Sequence, residues 1–254
     1  MIGAIIGDIV GSRFEFNNNR STEFEFFHPE CTFTDDTVMT VAVADAILNG
    51  RPFGETLHEY GRKFPNRGYG GRFFNWLLKK EGYKPYDSFG NGSAMRVSPC
   101  AYLAKGNREQ ALTWATASAV CTHNHPEGVK GAMAITDCIL LAAQQKPKEE
   151  IRRLAVELYD YDMDFTIDQI RPRFGFNETC PMTVPQAIEC FLESHDFESA
   201  IRIAVSLGGD SDTIANITGG IAEAYYGVPD EIRATALAML PAEMQQVIKK
   251  MYER

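Results

Sequence analysis

Apolar residues recur at helical spacing along almost the whole chain, and strand-like alternation is nearly absent. At the start, residues 2–12 place isoleucines and Val10 at this spacing, while Gly3, Gly7 and Gly11 recur every fourth residue. Glycine is a poor helix former, so three glycines in one short helix indicate that the helix packs centrally. Their stripe predicts a surface that a second helix can approach closely.

The same periodicity predicts a helix that Thr34 opens and Asn49-Gly50 ends. Glycine-rich loops are predicted over residues 65–72 and 87–96, the second running into a helix of small residues, and an irregular excursion over 161–184. Further helices are predicted over residues 54–64, 108–120, 128–143, 149–160, 185–194, 197–206, 229–239 and 241–252. Since no repeat, low-complexity tract or clear linker interrupts the pattern, we predict an all-α fold in one domain spanning residues 1–254.

Two short segments contain more acidic residues than are needed to cap a helix. The first is Thr34-Asp35-Asp36-Thr37, and the second is Asp210-Ser211-Asp212-Thr213, which follows two glycines and precedes an apolar helical pattern. Helix capping alone is one interpretation, because Asp and Thr are favoured at N-caps. Capping requires only one side chain per helix, and the surplus carboxylates are the ligands that hard cations prefer. Two such clusters facing each other could hold a pair of ions.

Composition and charge narrow the class of protein. The chain has 254 residues, 44% of them hydrophobic and 23% charged, as expected for a globular protein. A net charge of −9 disfavours non-specific attraction to nucleic acid or to an anionic membrane surface. The six cysteines are scattered without a CxxC pair, the N-terminus has no basic region, and no stretch suits a bilayer. We therefore expect a cytoplasmic protein.

Glu15 lies between Phe14 and Phe16, just beyond the glycine-striped helix. An apolar neighbourhood would raise the pKa of its carboxyl group and suit it to proton transfer. The alternative is a solvated surface glutamate.

The segment Gly68-Tyr69-Gly70-Gly71 could direct several backbone N–H groups at an anion, although an ordinary flexible turn is the alternative. It lacks the GKS/T ending of a P-loop, which excludes a nucleoside-triphosphate site of that type. His123 and His125 do not predict a zinc site, because no matching Cys or His cluster occurs elsewhere. Arg96 is expected to pair with a buried carboxylate such as Asp8.

Five motifs in order along the chain resemble those of the ADP-ribosylglycohydrolase family. The resemblance runs from Ile2 to about Gly227 and rests on Gly7-Asp8-x-x-Gly11 with Glu15, Thr34-Asp-Asp-Thr37, Gly90-Asn-Gly92 with Ala94-Met-Arg96, Thr122-His123, and Gly208-Gly-Asp-x-Asp-Thr213. It implies a single compact orthogonal helical bundle with two divalent cations, Mg²⁺ or in some members Mn²⁺, at the floor of an ADP-ribose cleft.

The resemblance also implies roles for individual residues. The metal ligands would be Thr34, Asp35, Asp36, Asp210, Asp212 and Thr213. Residues 68–71 would cradle the diphosphate, with His123 near the phosphate. Ser88, Phe89 and Asn91 would contact adenosine and ribose, Phe89 by stacking, while Gly92 and Met95 would only allow close approach.

The implied reaction is hydrolysis of the bond between ADP-ribose and an acceptor, with Glu15, Asp35 or Asp36 handling protons. The sequence leaves the acceptor open. It could be arginine, serine, another small acceptor or a nucleic-acid end, or the substrate could be O-acetyl-ADP-ribose. Two other classes are compatible with the same acids: a dimetal phosphoesterase and a non-catalytic ADP-ribose-binding relative.

Overall fold

The computed structural model describes residues 1–81 and 84–253. The helices are α1 (Ile2–Gly11), α2 (Asp35–Asn49), α3 (Phe53–Lys63), α4 (Gly71–Leu77), α5 (Gly92–Met95), α6 (Ser98–Leu103), α7 (Arg108–Val120), α8 (Pro126–Ala143), α9 (Lys148–Glu157), α10 (Ile167–Ile170), α11 (Cys180–Glu193), α12 (Phe197–Leu207), α13 (Ser211–Tyr226), α14 (Asp230–Ala238) and α15 (Ala242–Glu253), with a 3₁₀ turn at Ser12–Phe14. Within these ranges no strand forms, and extended pairing is limited to a bridge between Gly90 and Thr179. The fold is all-α, as predicted.

Helix α13 lies at the centre of the fold, where α1, α8, α11 and α12 pack around it. The glycine stripe of α1 faces α13, as the sequence predicts for a close helix partner. A Cβ atom added at Gly7 would overlap the Ala215 carbonyl group, and one added at Gly11 would lie 2.5 Å from the Asp212 Cα. The backbones of the two helices therefore touch, and this contact fixes where α13 begins relative to α1.

Two predicted segments differ from the structure. Helix α11 begins at Cys180, five residues before the predicted start at Pro185. Pro181 occupies the first turn, where a missing N–H costs nothing, and Pro185 follows within the helix, so the second proline is not a start signal. The segment 161–184, predicted to be irregular throughout, contains the short helix α10. Thr166 and Gln169 form a capping box at its start.

Helix α4 is absent from the sequence-based prediction because its seven residues are too short to show a period. Phe73, Trp76 and Leu77 bury one side of it. None of the helices in the described ranges combines the length and the apolarity needed to cross a bilayer.

Candidate active site

The starts of α2 and α13 meet, although they lie far apart in the chain. The hydroxyl group of Thr213 donates a hydrogen bond to Asp36 Oδ2 at 3.1 Å, across 177 residues of sequence. Both groups are buried, as are Asp210 and Asp212. The two acidic segments that the sequence singled out therefore form one cluster.

Asp8 of α1 holds the first acidic segment in place. Its fully buried carboxylate accepts hydrogen bonds from the Thr34 N–H at 2.9 Å, from the Thr34 hydroxyl at 2.7 Å and from the Thr37 N–H at 3.0 Å, and the Thr37 hydroxyl also donates to it. Thr34 in turn caps α2 by accepting from the Asp36 N–H at 3.3 Å. Because these groups satisfy the helix start, the carboxylates of Asp35 and Asp36 are not needed as caps.

Arg96 does not pair with Asp8, which corrects the expectation from the sequence. Its guanidinium group donates to the Ser118 carbonyl at 2.6 Å and to the Thr122 hydroxyl at 2.8 Å. Asp8 is satisfied by N–H and hydroxyl donors of a neighbouring helix, which a sequence pattern of opposite charges does not anticipate.

Glu15 completes the second part of the cluster. One oxygen from each of Glu15, Asp210 and Asp212 lies within 4.8 Å of the others, a spacing that one cation can bridge. The side-chain N–H of Asn91 donates to Asp210 Oδ2 at 2.7 Å and orients that carboxylate. Glu15, which the sequence marked for proton transfer, thus also stands within reach of a shared cation.

The cluster is short of positive charge. Burial and then the neighbouring carboxylates raise the pKa of Asp35, Asp36 and Asp212 well above the ordinary value. Burial, followed by the charges of Asp210 and Asp8, raises the pKa of Glu15 to about 7. Oδ1 of Asp36 is buried without a hydrogen-bond partner in the described part of the chain. Such a group requires protons or cations, and oxygen-only donors of this kind suit Mg²⁺ or Mn²⁺.

The cluster forms one end of a cleft, and most of the residues predicted for the site line it. They are Glu15, Asp35, Asp36, Gly68, Gly70, Gly71, Ser88, Asn91, Gly92, Met95, His123, Asp210, Asp212 and Thr213. Three others do not line it. The Thr34 hydroxyl donates to Asp8 instead, and the Tyr69 hydroxyl donates to the Phe64 carbonyl at 2.8 Å. Phe89 is exposed beside the His125 ring, so its predicted stacking role stays a prediction.

Several residues lining the cleft were not assigned to the site from the sequence: Met39, Arg72, Phe73, Tyr86, Gly90, Arg96, Phe176 and Glu178. Arg72 follows the glycine-rich segment directly, so its position was a usable signal. Phe176 and Glu178 come from the irregular segment before α11, where no periodicity or motif marks them.

Charge divides the cleft into two ends. Glu15, Asp35, Asp36, Asp210 and Asp212 form the acidic end. Away from these acids Arg72 lies beside the Tyr86 ring, with its charged carbon 5.1 Å from the ring centroid, and the His123 ring lies 5.9 Å from the same ring. The glycine-rich segment starts beside the acids, because a Cβ atom added at Gly68 would be 3.5 Å from Asp35 Oδ1, and it leads to Arg72. One end therefore suits cations and sugar hydroxyl groups, and the other suits an anion.

Comparisons with known proteins identify the family. The sequence model of the family described as ADP-ribosylglycohydrolase matches residues 1–254. The chain is 27% identical to the mouse (Mus musculus) ADP-ribosylhydrolase ARH3, over 90% of this chain and 83% of that protein. It is 24% identical to the ADP-ribosyl-[dinitrogen reductase] glycohydrolase of Rhodospirillum rubrum, over 98% of this chain and 91% of that protein.

A further relative is the ADP-ribosylarginine hydrolase Tri1 of Pseudomonas putida (strain GB-1), 25% identical over 100% of this chain and 77% of that protein. A solved structure, described as an ADP-ribosylglycohydrolase-related protein complex, superposes with a TM-score of 0.73 at 24% identity, covering 99% of this chain and 96% of that one. This likeness shows the fold. The match over the whole sequence shows that the chain belongs to the ADP-ribosylglycohydrolase family.

Proposed function

We propose that this protein hydrolyses the bond between ADP-ribose and an acceptor group, with two divalent cations, Mg²⁺ or Mn²⁺, at the acidic end of the cleft. The observation that carries the proposal is that the two acidic segments meet, joined by the hydrogen bond between Thr213 and Asp36. Beside this bond, the other carboxylate oxygen of Asp36 has no hydrogen-bond partner in the described part of the chain. A buried oxygen left in this way is costly unless a cation or a proton satisfies it.

The relatives support the substrate class. Their names describe hydrolases acting on ADP-ribosyl groups, one of them on ADP-ribosylated dinitrogen reductase and another on ADP-ribosylarginine. The ADP-ribosyl group is common to these names, whereas the acceptor differs between them. We therefore propose an ADP-ribosylated substrate for this chain and leave the identity of the acceptor to experiment.

The cations would be held by Thr34, Asp35, Asp36, Asp210, Asp212 and Thr213, with Glu15 within reach. Of these, Thr34 would contribute through the segment it anchors, since its hydroxyl is engaged with Asp8. When bound, the cations would orient the ribose hydroxyl groups and lower the pKa of a water molecule.

We assign proton transfer to Glu15. It lines the cleft and is only half-buried, so its carboxyl group can reach a substrate there. Without metal, burial and the charges of Asp210 and Asp8 raise its pKa to about 7. Cleavage at an anomeric carbon passes through an oxocarbenium-like state, which the carboxylates of Asp35 and Asp36 would stabilise from the same end of the cleft. The diphosphate would lie towards Arg72 and His123, along the glycine-rich segment that leads there from Asp35.

The protein is proposed to act in the cytoplasm, because its six cysteines are unpaired thiols and five of them are buried. Burial keeps these thiols unreactive in a reducing compartment.

The test is a panel of ADP-ribosylated arginine, ADP-ribosylated serine, O-acetyl-ADP-ribose and ADP-ribosylated nucleic-acid ends, each incubated with Mg²⁺, with Mn²⁺ and with a chelator. We expect release of free ADP-ribose from at least one conjugate and loss of this activity with the chelator. Free ADP-ribose serves as the control substrate. Release of AMP or phosphate from it would instead identify a phosphoesterase, and tight ADP-ribose binding without any turnover would identify a binding protein.

A further inference from the structure

His123 is the one histidine among the cleft-lining residues, and its two ring nitrogens have different surroundings. Nδ1 lies 2.7 Å from the Thr122 hydroxyl oxygen. Nε2 lies at the turn formed by residues 90–92, where a Cβ atom added at Gly92 would be 3.1 Å away. It makes no hydrogen bond to the part of the chain that the structure describes. The ring thus offers Nε2 to whatever occupies the cleft.

The neighbouring hydrogen bonds determine which nitrogen carries the proton. Arg96 donates to the Thr122 hydroxyl oxygen at 2.8 Å, and a guanidinium group has no acceptor atom. The hydrogen of that hydroxyl must therefore point elsewhere, and Nδ1 of His123 is the strong acceptor within reach. The Cys121 thiol is also near, but sulfur is a weak acceptor, and this thiol itself donates to the Ser118 carbonyl.

We propose that Arg96 and Thr122 are positioning residues that hold His123 as the neutral tautomer with its hydrogen on Nε2, so that it donates to an anionic oxygen of a nucleoside diphosphate in the cleft. This inference rests on the proposed function, because it assumes that His123 contacts the substrate. Burial and the charges of Arg96 and Arg72 lower the pKa of His123 well below its ordinary value, so the ring stays neutral at pH 7. A neutral donor adds a hydrogen bond to the anion without placing a second positive charge near the buried Arg96.

Nuclear magnetic resonance of the full chain with ¹⁵N-labelled histidine measures the tautomer without substrate or metal. His123→Gln identifies the His123 signals among the five histidines by their loss. We expect the wild type and Thr122→Ser to show Nε2–H, because both retain a hydroxyl group. Thr122→Val, which keeps the shape and removes the hydroxyl, should lose the preference for this tautomer. Thr113→Val is the control, since it removes an exposed hydroxyl group from α7, the helix that ends two residues before Thr122.

Calorimetric titration with ADP-ribose in the presence of Mg²⁺ provides the second measurement. Thr122→Val should weaken binding about tenfold, as expected for the loss of a hydrogen bond to a charged group. Thr122→Ser and Thr113→Val should bind as the wild type does. His123→Gln should retain more affinity than His123→Asn, because the glutamine amide nitrogen reaches the position of Nε2 and that of asparagine corresponds to Nδ1.

Nδ1–H in the wild type overturns the inference directly and needs no variant. An unchanged tautomer in folded Thr122→Val also overturns it, whatever happens to the affinity. If the wild type does not bind ADP-ribose at all, the proposed function fails, while the tautomer measurement still decides the positioning of His123 by Thr122.

Discussion

The side-chain amide of Asn18 pairs with the backbone of Gly209 in both directions, donating to its carbonyl oxygen at 3.0 Å and accepting from its N–H at 2.9 Å. The same amide nitrogen lies 2.7 Å from the Phe14 carbonyl oxygen and 3.1 Å from that of Glu15. Since Gly209 precedes Asp210, one side chain ties the loop of Glu15 to the second acidic segment. The positive φ of 71° at Gly209 allows the turn that exposes both of its backbone groups.

Replacing Asn18 by Ala should therefore reduce kcat about 10- to 100-fold. Glu15 would no longer be held in a fixed position relative to Asp210, and small displacements of reacting groups slow a reaction strongly. The affinity for ADP-ribose should change much less, since most of the cleft is untouched. The matched control is Asn19→Ala, whose side chain bonds to Ser21 of its own loop and to no other residue of the described ranges. Steady-state kinetics on the best substrate, with ADP-ribose titration beside it, separates the two effects. Equal losses in both variants would remove this role from Asn18.

The backbone contact between α1 and α13 predicts an unequal effect of two glycine substitutions. Gly7→Ala places a methyl group on the Ala215 carbonyl, so it should destabilise the protein by about 1–3 kcal/mol or more and displace the start of α13. Gly54→Ala in α3 meets only the Cys121 Cβ at 3.5 Å, and a helical alanine there should be neutral or stabilising by about 0.4–1 kcal/mol. Chemical denaturation measures both free energies of unfolding. Equal stability of the two variants would contradict the contact.

The pKa of the clustered carboxyl groups makes stability depend on pH and on metal. Because the pKa of Glu15 is raised from 4.5 to about 7 on folding, the folded state binds more protons than the unfolded state between those values. Without metal, the free energy of unfolding should therefore fall as pH rises from about 4.5 to about 7 and should level off above that, as far as Glu15 is concerned. The more strongly raised pKa values of Asp36 and Asp212 extend the same trend to higher pH.

Mg²⁺ competes with these protons, so its stabilising effect should be larger at pH 7.5 than at pH 5. Thermal melts at both pH values, with a chelator and with Mg²⁺, measure the difference. Asp36→Asn serves as the comparison, since it removes one of the charges and should reduce the increase in Tm. An increase of equal size at both pH values would show that the carboxylates are not the groups that the metal stabilises.

Two exposed aromatic rings lie together at the mouth of the cleft. Phe16 is 85% exposed and Phe176 is 52% exposed, and their rings stack with centroids 6.1 Å apart. Because Phe16 neighbours the proposed proton-transfer group, we expect the pair to contact the acceptor of a bound conjugate. Phe176→Ala should change the ratio of kcat/KM between acceptor conjugates and leave ADP-ribose affinity unchanged. Leu158→Ala, an exposed apolar residue that does not line the cleft, is the control, and a uniform loss on all conjugates would contradict selection by the pair.

Much of the fold follows from the sequence because α-helical periodicity is a local property. The glycine stripe of α1 predicted a close helix partner, which is α13. The surplus of acidic residues at the starts of α2 and α13 suggested that the two segments face each other, and the hydrogen bond between Thr213 and Asp36 joins them. That cations occupy this cluster is our proposal.

Features that depend on long-range packing could not be predicted from the sequence in the same way. The partners of Arg96 are a carbonyl group and a hydroxyl group of α7 and the turn after it, which no charge pattern indicates. The start of α11 was misplaced because Pro185 resembles a first-turn proline, whereas Pro181 occupies that position. Phe176 and Glu178 reach the cleft on irregular backbone, and their placement depends on contacts that only the folded chain defines.

The most direct test of the account is calorimetric titration of Mg²⁺ into the metal-free protein, comparing the wild type with Asp36→Ala, Asp212→Ala and the control Glu55→Gln. Glu55 is an exposed acid at the start of α3 and does not line the cleft. We expect two ions per chain in the wild type and the control, and loss of binding when either acidic segment is altered, because each ion draws ligands from a shared cluster. Full binding in both Asp36→Ala and Asp212→Ala, or none in the wild type, would contradict a cation site built from the two segments.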